Sequence, residues 1–146
     1  MLGCLFVAMG RVSEAESLCH QAVRIIQNAS GKLNDPDIAA ILNTLGWIHG
    51  CSNRAEEGDE YFDRALHICT DNAFGDSHPI TMRVKAGFFV NTARRALAAG
   101  LIEDARVSLV AARPLLEEVR GKLHYETKAM YLLFEQLDKH EATGYR

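Results

Sequence analysis

AESLCHQAVRII at residues 15–26, GDEYFDRALHIC at residues 58–69 and ARVSLVAARPLL at residues 105–116 are three versions of one segment, and their agreement decides the fold. In the first, Ala15, Leu18, Cys19, Ala22, Val23 and Ile26 fall at i, i+3, i+4, i+7, i+8 and i+11, the single apolar stripe of an α-helix. Forty-three residues later the same steps land on Gly58, Tyr61, Phe62, Ala65, Leu66 and Cys69, again small or apolar and in the same order of volumes. After another 47 residues they land on Ala105, Ser108, Leu109, Ala112, Arg113 and Leu116, which keeps the small positions where two helices approach closely and weakens elsewhere.

Punctuation repeats with the stripe. Gly10, Asn53 and Gly100 each stand where one helix ends, and each is followed by an acidic run, Glu14 to Glu16, Glu56 to Glu60, and Glu103 with Asp104. Carboxylates in a first turn complement the free amides and the positive end of the helix dipole. Ser13 and Glu16 have capping-box spacing. Polar breaks at 28–36, 71–79 and 121–125 contain Gly31, Gly75 and Gly121, and Asp35-Pro36 and His78-Pro79 are themselves 43 residues apart.

The pattern predicts helices near 12–29, 37–50, 54–71, 79–99, 102–120 and 124–140, after a partial helix at 1–9, with no segment alternating as a strand does. The helix at 79–99 is about one turn longer than its counterpart, which explains the 47-residue step, and Pro114 is expected to kink the helix that holds it. Met1 to Met9 is apolar without a cap before it and reads as a helix cut from a longer parent chain. It is far shorter than the roughly 20 residues of a membrane span and lacks a basic leader.

Bulk properties narrow the functions. A chain of 146 residues with 48% hydrophobic content can bury one ordinary core, and a net charge of −3 supplies no basic field for nucleic acid or an anionic membrane. Neither nucleic acid nor membrane is expected as a partner. Cys4, Cys19, Cys51 and Cys69 are scattered with no CxxC pair, which fits buried, reduced thiols in the cytoplasm. Cys19-His20 and the pair His67 and Cys69 lack the four converging ligands of a zinc site, and Cys19 and Cys69 lie on the stripe. No metal, cofactor or catalytic group is expected. The acidic run at 56–60 lacks the alternating ligands of a calcium loop. Arg94-Arg95, with Arg83 and Lys85, reads equally as a solvated face or as a subsite for a carboxylate.

These residues resemble the tetratricopeptide repeat family over nearly the whole chain, and the long period with Gly75-Asp-Ser-His-Pro79 is most similar to the repeats of kinesin light chains. Leu42, Leu45-Gly46, Gly58, Phe62 and Ala65 stand at the family's signature positions. His49 stands where the family has tyrosine, and Thr92-Ala93 replaces a leucine-glycine pair. The resemblance implies an all-α, right-handed solenoid of helix-turn-helix units, about 1–36, 37–79 and 80–124, with a final helix at 125–140. It implies a non-enzymatic module whose first helices line a concave groove for a peptide or helix of a protein partner. The alternative is an accessory segment of a larger enzyme or signalling protein. By the family's pattern Asn43, Trp47, Asn91 and Arg94, with Arg95 beside them, face that groove, which suits an extended peptide with an acidic group. Apolar faces at Leu2 to Val7 and at Met130, Leu132, Leu133, Phe134 and Leu137 lack an evident cover, which predicts end-to-end self-association or marginal stability.

Overall fold

A computed structural model describes residues 10–144 as six helices: α1 (Val12–Ser30), α2 (Pro36–Cys51), α3 (Ala55–Asp71), α4 (Pro79–Ala98), α5 (Ile102–Val119) and α6 (Tyr125–Gly144). Among the described residues there is no strand. Every boundary lies within a few residues of the sequence expectation, because stripe and punctuation are both set by local chemistry. The partial helix at 1–9 and the face at Leu2 to Val7 lie outside the described residues.

Helix ends follow backbone stereochemistry. Gly10, Gly31, Gly100 and Gly121 take φ of +71°, +67°, +76° and +80°, the left-handed conformation that closes a helix at little cost only without a Cβ. Asn53 does the same at +59°. The break after α3 differs from the sequence reading: Ala73, not Gly75, takes the left-handed turn at +55°. The Phe74 amide then donates to the Cys69 carbonyl, and the His78 amide to Gly75. Ser13 is not a cap either. The first helix starts one residue earlier, with Arg11 at the cap position, and Glu16 turns away to pair with Arg54 of the α2–α3 turn. Glu56 and Glu57 open α3, and Glu103 and Asp104 open α5, as the dipole favours. Helix α5 runs unbroken through Pro114.

Each helix packs on its neighbours in sequence, and α2, α4 and α6 also touch one another in succession. Such second-neighbour packing is close between α2 and α4 and slighter between α4 and α6, and these three form an inner layer with α1, α3 and α5 outside it. The core lies between the layers. Phe62 of α3 is fully buried against Gly46 of α2 and Gly87 of α4, and a Cβ at either glycine would sit 2.6 Å and 2.5 Å from the ring. Missing side chains let three backbones close around one aromatic, whose burial stabilises by roughly 1.5–3 kcal/mol. Ala105, Leu109, Ala112 and Leu116 repeat the arrangement on α5.

The C-terminal apolar face is a correction. Met130, Leu133 and Leu137 are buried, and of the set only Leu132 is largely exposed, at 59%. Most of the surface expected to drive self-association at this end is therefore already spent inside the chain.

Candidate functional site

A long open groove runs along the inner layer. Its walls are Gly50 and Cys51 at the end of α2, Thr92 and residues 94–98 of α4 with Ala99 just after it, and Ala129, Leu132, Leu133, Gln136 and His140 of α6, closed below by the starts of α3 and α5. The α6 positions recur at helical spacing, so one continuous stripe faces the groove. Apolar area comes from Leu97, from Leu101, 53% exposed, and from Leu132.

The structure divides the five residues expected to line this groove. Arg94 and Arg95 lie on its wall, but Asn43, Trp47 and Asn91 are each 1% exposed and lie inside the packing. Residues so buried cannot meet a peptide without rearrangement of the inner layer. The reason is glycine. At Gly87 a Cβ would be 2.9 Å from Trp47 Nε1 and 3.0 Å from Asn43 Oδ1, so α4 closes over both side chains only because Gly87 has none. Asn91 is drawn in by a similar gap: a Cβ at Gly50 would stand 2.6 Å from its Oδ1, and one at Gly58 3.3 Å from its Nδ2. Its Nδ2 donates to the Ala55 carbonyl at 2.7 Å and to Asp59 Oδ1 at 2.6 Å, tying α4 to the first turn of α3.

Electrostatics separate the two arginines. Arg95 is held by Asp59, the carboxylate that also holds Asn91. Arg54, on the same wall, is shared between Glu16 and Glu57. Arg94 makes no ion pair among the described residues. Its guanidinium lies over the Trp47 ring, 5.4 Å from the centroid, beside Gly50. Stacking on an aromatic face orients a guanidinium and leaves its hydrogens available for a carboxylate. Trp47 thus acts on the groove from beneath, as the platform for Arg94. Glu56 and Asp104 also line the groove, so the cationic point is confined to Arg94.

Sequence reasoning missed a second polar network behind the wall. His49 is buried, 3.1 Å from a Glu57 carboxylate oxygen and 3.6 Å from Glu16, with Tyr61 5.0 Å away. Burial, helped by Arg54, outweighs the two carboxylates and pushes its imidazole below the usual histidine range. The thiol of Cys19 is pushed up by burial, the opposite of an activated nucleophile. Cys19 and Cys69 are free thiols, and no group of three or more metal-ligating side chains assembles among the described residues. Among them too, no helix is long and apolar enough to cross a membrane. The sequence could have pointed to Leu132, which stood out as an uncovered apolar residue; what it could not show was that the uncovered side faces the groove.

A family model described as tetratricopeptide repeat matches residues 1–37 and 38–80, two consecutive units over more than half of the chain. The junction at 37 and 38 falls at the start of α2, the first helix of the α2–α3 pair. No curated protein matches the sequence.

Proposed function

Because this chain belongs to the tetratricopeptide repeat family, whose repeats generally mediate protein–protein interaction, we propose that its inner groove receives a peptide or helix of a partner protein. An acidic side chain of the partner meets Arg94, and apolar side chains lie against Leu97, Leu101 and Leu132. Arg95, fixed by Asp59, borders the same wall. The observation that carries this reading is Arg94 itself: an arginine on the wall of a concave surface, oriented by Trp47 and without a carboxylate of its own among the described residues. The reading includes no chemistry on these residues. The 43-residue period and the Gly75 to Pro79 loop support a long-repeat subclass like that of kinesin light chains, with units near 1–36, 37–79 and 80–124 and the final helix from 125. The free thiols of Cys19 and Cys69 support a cytoplasmic location.

Panning a random peptide library displayed on phage against the immobilised chain tests the proposal. Enrichment of sequences that place Asp or Glu next to apolar residues is expected. Absence of enrichment, or selection of purely basic sequences, contradicts it.

A further inference from the structure

The three inner helices start with one device made in two chemistries. Asp35 Oδ1 accepts from the Asp37 amide at 2.9 Å and caps α2. His78 Nδ1 accepts from the Ile80 amide at 3.2 Å and caps α4. His124 Nδ1 accepts from the Glu126 amide at 3.1 Å at the start of α6. A carboxylate accepts down to about pH 4, whereas an imidazole nitrogen accepts only while it carries no proton. The His124 ring, as acceptor at Nδ1, is therefore neutral with its hydrogen on Nε2. Protonation would remove the acceptor and set a cation against the positive end of the helix dipole.

The surroundings of both rings are explicit. His78 lies flat on Phe74, with centroids 3.8 Å apart and planes 2° from parallel, which fixes the direction of Nδ1. The charged groups nearby in sequence, Asp76 before it and Lys85 on α4, are paired with each other. His124 is faced by Arg83 from α4, Arg120 from the end of α5 and Glu126 of its own helix, whose Oε1 is 3.4 Å from Arg120. Two guanidiniums there outnumber one carboxylate. Burial is the largest effect on His124; Glu126 opposes it, Arg120 and Arg83 reinforce it, and the imidazole is held below the ordinary histidine range.

We infer that His124 is an acid-labile cap, so that the start of α6, the helix carrying Leu132, loosens in mild acid while α2, capped by Asp35, does not. As control of partner binding this rests on the groove reading; as a property of the cap it does not. For His124 the sign follows from its lowered folded-state value. The neutral ring is favoured by the fold, so its stabilisation is complete above the unfolded-state value near 6.5 and is lost as pH falls through the folded-state value.

His49, faced by Glu16, Glu57 and Arg54, is shifted in the same direction and adds acid sensitivity unrelated to caps, so whole-chain melting cannot isolate the effect. The test reads single amides by NMR hydrogen exchange, as protection factors corrected for intrinsic rate, between about pH 7.5 and about pH 5. Protection of the Glu126 amide is expected to fall roughly fivefold in the natural sequence while that of Asp37 holds, a fall matching the usual worth of a cap. In His124→Asp, whose new cap accepts at both pH values, both should hold. Imidazole nitrogen shifts at about pH 7.5 should report the Nε2–H tautomer for His124. An equal fall at both amides in the natural sequence, or an undiminished fall in the variant, overturns the inference. Failed peptide panning with these protection factors as stated would remove the groove reading and leave the cap standing.

Discussion

The outer helices and the inner helices use the same residue types under opposite rules. On α3 and α5 the apolar stripe is buried and the polar residues face water, so Phe62, Ala65, Leu109 and Leu116 are core while Glu60 and Arg113 are exposed. On α2 and α4 contact comes from two sides, from the outer layer and from each other, and polarity no longer reports exposure. Asn43, His49 and Asn91 are as buried as Leu45 and Val90 beside them. A helix packed on one side can be read from its periodicity; a helix packed on two must be read from the residues that permit the second contact. Here those are Gly50 and Gly87.

This contrast predicts a steep hierarchy of substitutions. Trp47→Ala should cost the most, about 3–5 kcal/mol in denaturant unfolding, because it empties a fully buried volume between α2 and α4. An unchanged melt would return Trp47 to the groove surface, where the family pattern placed it. Gly87→Ala should destabilise by about 1–3 kcal/mol through its clash with Phe62 and Trp47, even though alanine in a helix is otherwise favoured by about 1 kcal/mol. A rise in stability would mean that α4 does not close over α2 as described. Ile25→Ser on α1, 67% exposed, should lie within about 0.5 kcal/mol of the natural sequence. A larger loss would mean that Ile25 packs within the chain rather than facing water.

How much was legible follows the same division. The helices, their order and most of their ends were readable, because 3.6-residue periodicity and left-handed turn residues are local signals. Ser13 failed as a cap because Glu16, its presumed partner, finds Arg54 and His49 across the helix pair, contacts invisible at short range. Gly75 failed as a helix stop because the Phe74 amide reaches the Cys69 carbonyl through Ala73, leaving the glycine no left-handed turn to make. At the groove the family's phase carried Arg94 and Arg95 to the wall, but Asn43, Trp47 and Asn91 went inward, because phase gives direction and not depth. Depth was set by glycines on neighbouring helices, and their meaning appears only once the helices are assembled.

The central claim is that Arg94, seated on Trp47, is the acid-receiving point of an interaction groove. Its most direct test is isothermal titration of a library-selected acidic peptide into the natural chain and into Arg94→Ala, with the melt of each recorded. The account predicts at least about a thirtyfold loss of affinity, the usual measure of a truncated hot spot, with little change in melting, since Arg94 has no ion pair among the described residues to lose. Equal affinity of the two proteins for that peptide would contradict it.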